Sequence, residues 1–304
     1  MGEPPVAIGV IVNPRAGMGR GLRMLPRLAV TLRAIAEPSE LLVTAERGEA
    51  IAVARRLAEA GARLVVAVGG DGTVNEVANG LLTANRPGVA LGVVSAGRGI
   101  DFAQTLGIAS DPEAALLDAC RGQIVFLDAV EVSFAGNRRW LINGGGLGLD
   151  AAVAARADTA RFPGRQTSYW AALAAVAPRY RPFPVELEVD GERISMRALT
   201  VVVANGPSFG GGFQIVPEAR LDDGAFDLAL VGAVSALDLI RYLPRLARGG
   251  HLDHPKVRHL PARSARVTLT GDEVREMQID GELVALGGRE VTFTVRPGAL
   301  QLSR

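Results

Sequence analysis

The stretch LVVAVGGDGTVNEVANGLL, Leu64 to Leu82, places five apolar residues directly before Gly69-Gly70-Asp71-Gly72-Thr73. An apolar run of that length ended by glycines predicts a strand buried on both faces, and Thr73 to Leu82 predicts a helix with an apolar side. Strand, glycine turn and helix in that order present backbone N–H groups at a helix N-terminus, where the dipole favours an anion. Glycine allows a phosphate to approach closely and allows positive φ, and Thr73 is placed to cap the helix. Asp71 repels a bare phosphate, so it implies a divalent cation, a water network or proton transfer beside it. A glycine-rich turn with a capping aspartate is the plainer alternative.

The same texture extends to both sides. VAIGVIVNP, ELLVTA, RLVVAVGG and VALGVVSAG predict strands, separated by amphipathic segments such as GLRMLPRLAVTLRAIA and EAIAVARRLAEAG. Short apolar strands alternating with helices imply a parallel sheet, which binds ligands beyond the carboxyl ends of its strands. Three glycine loops fall at such ends. NPRAGMGRG carries Asn13, Arg15, Gly17, Gly19, Arg20 and Gly21; GGDGT follows strand three; SAGRGIDF carries Gly97, Arg98, Gly99 and Asp101. Three glycine loops with arginines on one sheet edge point to a phosphate ester. The loop is neither of two familiar kinds. A Walker loop needs GK[ST], and the single lysine, Lys256, stands in HPKV. A dinucleotide fingerprint has a third glycine where Asn75 stands.

From about Ile124 short strand signals alternate with Gly, Asp and Pro turns, which predicts an antiparallel sandwich or barrel-like second domain. Helical segments around Thr167–Ala177 and Ala236–Ala247 interrupt it. The expected organisation is therefore an α/β nucleotide-binding domain over 1–125 and a β-rich substrate domain over 126–289. The last strand, 290–304, is a candidate to return to the first domain. Charges nearly cancel at a formal +1 among 304 residues, which gives no electrostatic attraction to nucleic acid. One cysteine, Cys120, excludes an intramolecular disulfide and fits a reducing cytoplasm. The N-terminus lacks a signal-peptide pattern and no stretch has the apolar length of a membrane span. A soluble protein is expected, free to sit on a membrane.

Residues 6–304 resemble the diacylglycerol kinase catalytic-domain family in its bacterial lipid-kinase branch. The resemblance is carried by VNPRAG, GGDGTVNEVANGL, DFAQTLGI, FGGGFQIVPEARLDDGAFDL and HLDHPKV, in the family's order and spacing. It implies an α/β domain like that of NAD and diacylglycerol kinases, a β-rich sandwich domain, and transfer of the γ-phosphoryl group of ATP to a lipid hydroxyl with Mg²⁺. It also implies peripheral contact with a membrane, on its inner face in the cytoplasm, and leaves a homodimer open.

By the resemblance, Gly69, Gly70, Asp71, Gly72, Thr73, Val74 and Asn75 surround the nucleotide phosphates, joined by Asn13 and by Thr44 at the end of strand two. The family's GTGND loop reads GRGID here, so Arg98 replaces the threonine and Ile100 the asparagine. Arg98 can itself grip a phosphate, and Asp101 would join an acidic network with Asp71. ARLDDGAFD resembles a structural Mg²⁺ loop, with Asp223 as carboxylate ligand and the backbone carbonyls of Arg220 and Ala225. A plain hairpin turn is the alternative from the residues alone. IDGE matches the proton-acceptor position, giving Glu282 with Asp280 beside it. Strand alternation would put both on one face, unless Asp-Gly is a turn. The same tripeptide occurs at Asp190-Gly191-Glu192, and spacing does not choose between the two.

Other residues admit two readings. His251, His254, Asp253 and His259 suggest a metal site, but Pro255 breaks any helix aligning them and a surface loop or domain edge is favoured. NGGGLGLDAAVAA fits a tight strand-to-helix junction better than a phosphate loop. Tyr169, Trp170, Arg179, Tyr180 and Arg181 could face lipid headgroups or pack inside the domain. Two other functions stay open: an NAD kinase-like enzyme, and a nucleotide-gated lipid-binding protein with little turnover.

Overall fold

A computed structural model describes residues 6–96, 101–159, 165–234, 238, 242, 245, 249–271 and 274–304. The chain divides into two compact units, Met1–Leu127 with Gly298–Arg304, and Asp128–Pro297. It therefore passes between them twice.

The first unit alternates strand and helix: β1 (Ile8–Val12), α1 (Ala16–Ile35), β2 (Ser39–Val43), α2 (Glu49–Glu59), β3 (Leu64–Gly69), α3 (Asp71–Ala84), β4 (Ala90–Ser95), α4 (Asp101–Thr105) and α5 (Pro112–Arg121). All strand pairs are parallel, in the order β2-β1-β3-β4. Leu302 at the end of the chain adds to Leu91 of β4, also in parallel. β1 and β3 are buried throughout, as their unbroken apolar runs require. Each fully buried valine there contributes roughly 1.5–3 kcal/mol relative to exposure. The order reverses at β1, with β2 on one side and β3 on the other. That is the switch point outside which open α/β sheets bind ligands. α5, which the strand pattern alone leaves unmarked, starts with Asp111 accepting from the Ala114 N–H and Pro112 in the first turn.

Two local expectations differ from the structure. The helix after GGDGT begins at Asp71, not Thr73; its N-cap is Gly70, and no side chain caps it. The NPRAGMGRG segment is not an open loop, because helix geometry resumes quickly around a left-handed kink. Gly17, Met18 and Gly19 have φ of 56, 57 and 82° inside α1. A Cβ on Gly17 would stand 2.0 Å from the Ala96 carbonyl oxygen, so only glycine fits there.

The second unit is antiparallel. Its strands are β5 (Ile124–Phe134, entering from the first unit), β6 (Asn137–Leu141), β7 (Gly144–Gly148), β8 (Phe183–Val189), β9 (Glu192–Ala204), β10 (Ser208–Phe209), β11 (Phe213–Gln214), β12 (Phe226–Gly232), β13 (Val257–Ala262), β14 (Ser264–Leu269), β15 (Glu276–Ile279), β16 (Glu282–Ala285) and β17 (Glu290–Ser303, which leaves for the first unit). α6 (Leu149–Thr159) follows β7 directly, as the junction reading of NGGGLGLDAAVAA expects, and α7 (Arg165–Val176) comes next. β9 organises the sandwich: its first half pairs with β8, its second half with β7 and β12. Phe183, Phe226, Phe293 and Val267 are among the side chains that fill the core. The fold is thus an α/β domain with a parallel sheet and a β-rich sandwich. The segment Ala236–Ala247 lies largely outside the described residues.

Candidate active site

In the first unit, the expected nucleotide residues gather at the switch point. Asn13 follows β1, and its side-chain amide donates to Thr73 Oγ1 at 3.1 Å, while its Oδ1 accepts from the Arg15 N–H. Thr73 is thus tied to the β1 loop and does not cap α3. Thr44, buried at the end of β2, donates to the Val12 carbonyl. Asp71 is buried in the first turn of α3, where the helix dipole favours its charge. Its Oδ1 accepts from the Phe102 N–H, which ties α3 to the first turn of α4, the helix that Asp101 opens. Asn75 accepts from the Asn79 side chain. Arg98 and Ile100 lie outside the described residues.

The glycines separate into two kinds. Gly69 is fixed by packing: a Cβ there would meet Thr73 Oγ1 at 2.3 Å. Among the described residues, no atom lies within 4 Å of a Cβ added to Gly70 or Gly72. Neither has positive φ, so the backbone does not demand glycine, contrary to the expectation above. Open space beside an uncapped helix N-terminus suits an anion that approaches the main chain closely. Val74 continues the helix with its N–H on the Gly70 carbonyl and its side chain in the core. The rest of the motif is structural. Glu76 Oε2 accepts from Ala50 N–H in the first turn of α2, and Gly80 lies against the same helix, where a Cβ would meet the Ile51 carbonyl oxygen at 2.4 Å.

In the second unit, Asp280 and Glu282 do not share a strand face. Asp280 (φ 48°) and Gly281 (φ 85°) are the two-residue turn between β15 and β16, and Glu282 opens β16. The Asp280 carboxylate accepts three successive backbone N–H groups, from Ile142, Asn143 and Gly144, at 2.8–2.9 Å. A carboxylate so engaged positions the turn; it is poorly placed to take a substrate proton. Glu282, whose side chain is 10% exposed, pairs with Arg139 of β6 at 2.7 Å. Arg139 is 143 residues away in sequence, and nothing in NRRWL marks it.

The Asp222-Asp223 segment is a turn beside Asp128. Asp128 accepts from the Gly224 N–H, Asp223 Oδ1 from the Ala225 N–H, and Asp222 pairs with Arg220. Among the described residues no three His, Cys, Asp or Glu form a metal-binding group. With the carbonyls of Arg220 and Ala225, the loop offers oxygen donors only. That suits a hard cation whose shell is completed largely by water.

The second unit also contains an apolar pocket between α6, α7, β9 and β12. Its walls are mainly Leu, Val, Ile and Ala, with Asp150, Tyr169, Thr200, Asp238, Tyr242, His251 and His254 as the polar exceptions. Asp150 is buried and its Oδ1 accepts from the Tyr169 hydroxyl at 2.8 Å. Burial raises its carboxyl above the ordinary range, against the opposing pull of Tyr169 and Gln278. Burial pushes His251 down to about 4. His251 and His254 line this cavity from a turn segment in which Asp253 is exposed, and Tyr169 and Trp170 pack on Phe213. None of this polar set is legible as spacing along the chain.

Residues 7–132 match the family described as the diacylglycerol kinase catalytic domain. Residues 146–304 match the YegS C-terminal NAD kinase beta sandwich-like domain. Diacylglycerol kinases of Staphylococcus carnosus (strain TM300) and Staphylococcus aureus (strain MRSA252) are each 29% identical over 276 residues, 90% of this chain and 87% and 85% of theirs. A solved diacylglycerol kinase structure from Bacillus anthracis str. Sterne superposes with a TM-score of 0.73 at 23% identity, covering 97% of this chain and 96% of that one. Yeast NADH kinase complexed with NADH does so at 0.50 and 11%, covering 99% and 83%. The two structures share the fold.

Proposed function

Because the chain belongs to the diacylglycerol kinase catalytic-domain family, we propose that it is a lipid kinase that transfers the γ-phosphoryl group of ATP to a diacylglycerol-like hydroxyl at a membrane surface. The observation that carries this is the start of α3, where Gly70 and Gly72 keep space open that neither packing nor backbone geometry requires. Main-chain N–H groups there would hold the phosphates, with Asn13 fixing Thr73 and Thr44 closing the end of β2. A cation beside Asp71 would offset the repulsion between its carboxylate and the phosphates. Mg²⁺, when bound, supplies that charge and neutralises the phosphate oxygens.

The apolar pocket of the second unit suits a lipid's hydrocarbon. Glu282, oriented by Arg139, takes the proton as the hydroxyl oxygen bonds to the γ-phosphorus and the bond to the β-phosphate oxygen breaks, releasing ADP. Asp280 keeps the turn that presents Glu282 in register through its three N–H groups. Such chemistry asks mainly for positioning and charge stabilisation. No helix among the described residues is long and apolar enough to cross a membrane. Lipid would be captured from the bilayer surface.

The test is transfer of ³²P from labelled ATP to dispersed lipids with and without Mg²⁺. Wild type should label a diacylglycerol-like lipid; Asp71→Asn and Glu282→Gln should not. Labelling of NAD, or ATP left intact with every lipid, would sink the assignment.

A further inference from the structure

α1 carries two apolar rows, each stepping by four residues. Met24, Leu28 and Leu32 form the inner row, buried in the core of the first unit. Leu22, Pro26 and Val30 form the outer row and face water, with Leu22 54% and Val30 67% exposed. Side chains four apart on a helix lie one above the other, so the outer three make a continuous line. Met18, 93% exposed at the left-handed kink, stands just before it. Single exposed apolar residues need no explanation. What sets this line apart is the charge around it.

No Asp or Glu occurs between Glu3 and Glu37, a span that holds Arg15, Arg20, Arg23, Arg27 and Arg33. Arg27 is held by Asp111 and Glu113 beside α5. Among the described residues, the other four arginines have no ion-pair partner. Arg23 and Arg33 are exposed. Arg23 is three residues before Pro26 and Arg33 three after Val30, so both neighbour the outer row. A second copy of the chain would set this acid-free face against itself across a two-fold contact. An anionic bilayer meets both features: its phosphates attract the guanidinium groups, and its acyl boundary accepts the apolar line.

We infer that the outer face of α1 is the surface on which the protein rests against an anionic bilayer. Leu22 and Val30 enter the headgroup boundary, and Arg23 and Arg33 meet lipid phosphates. α1 starts at the sheet edge that carries the glycine loops, so this contact keeps that edge beside the membrane. The contact rests on the lipid-kinase proposal for its purpose, but vesicle binding is read without nucleotide or turnover.

The experiment is cosedimentation of the full chain with vesicles of phosphatidylcholine, alone or mixed with phosphatidylserine. Wild type should bind the mixed vesicles, bind neutral ones at least about tenfold less, and be released by about 0.5 M NaCl. Arg23→Gln with Arg33→Gln should weaken binding about 25-fold, from about fivefold per arginine. Leu22→Ser with Val30→Ser should weaken it about tenfold. Arg86→Gln with Arg193→Gln, which removes two exposed arginines elsewhere, should stay within about twofold of wild type. All six positions are exposed, so melting temperatures should hold. In Leu22→Trp, the added fluorescence should move to shorter wavelength on mixed vesicles only, and in Arg86→Trp it should not move.

No binding by wild type, unchanged binding in either α1 pair, or an equal loss in the Arg86 and Arg193 pair would overturn the inference. So would α1 variants that dissociate a dimer yet still bind vesicles, because the face would then join two copies. Turnover separates the two proposals. If a monomeric short-chain diacylglycerol is phosphorylated but vesicle binding does not depend on α1, the membrane contact alone fails. If binding depends on α1 but no lipid accepts phosphate, the kinase assignment fails and the contact stands.

Discussion

Asp190-Gly191-Glu192 and Asp280-Gly281-Glu282 make the same two-residue turn, with aspartate φ of 47 and 48°. Both aspartates cap a neighbouring strand: Asp190 accepts from the Arg263 and Ser264 N–H groups, Asp280 from three. The glutamates differ. Glu192 is 61% exposed and meets Arg258 on the surface, whereas Glu282 is 10% exposed and meets Arg139 in a partly buried site. An exposed pair of that kind is worth about 1 kcal/mol or less. A carboxylate largely out of water and paired with an arginine is a candidate to act on a substrate. The tripeptide specifies a turn; the strand that receives its glutamate decides whether it also does chemistry.

The comparison breaks most readily at the glutamates. Glu282→Gln should lower phosphoryl transfer by about 100-fold or more, and Glu192→Gln should leave it unchanged, measured as labelled lipid per enzyme. Equal loss in both, or in neither, would erase the distinction. Next come the aspartates. In Asp280→Asn one oxygen can still serve Asn143 and Gly144, but the amide nitrogen confronts the Ile142 N–H. A loss of about 2–3 kcal/mol in urea unfolding is expected. Asp190→Asn, at the surface with Oδ1 in reach of both N–H groups, should cost about 1 kcal/mol or less.

Asp150 sharpens the contrast between buried and exposed acids. Burial raises its folded-state pKa, so its contribution is full below the ordinary carboxylate pKa and is lost as pH rises through the raised value. Asp150→Asn cannot ionise. Its stability relative to wild type should therefore climb with pH in that window, by up to about 1.4 kcal/mol per unit. A flat difference in melting between about pH 4 and about pH 8 would refute the buried-charge account. The smallest effect belongs to Gly72. In helical geometry with open space around it, Gly72→Ala should stabilise the fold by about 0.5–1 kcal/mol while weakening ATP binding about tenfold. Calorimetry reads both, and unchanged ATP affinity would show that the space is not a phosphate site.

The first unit was legible in the sequence because its signals are local. Apolar runs ending in glycine mark the strands, and their carboxyl ends mark the loops. What escaped was set by packing: Thr73 looks like a cap until Asn13 claims its hydroxyl, and Gly70 looks conformationally necessary until its φ is seen. In the second unit the useful contacts join separate elements. Arg139 to Glu282 and Tyr169 to Asp150 leave no spacing to read, and the pocket histidines appear along the chain only as a failed metal motif. The DGE repeat was visible, but only cross-strand pairing separates its two copies.

Glu76 and Gly80 carry a lesson for interpreting variants. Both belong to the most recognisable stretch of the chain, yet one caps α2 and the other lets α2 and α3 lie close. A screen scored by product alone would enrol them as catalysts when their loss acts through misfolding. A descendant that had abandoned phosphorylation would still need them. Part of this signature therefore records helix docking, and the proposed phosphate contacts account for the rest.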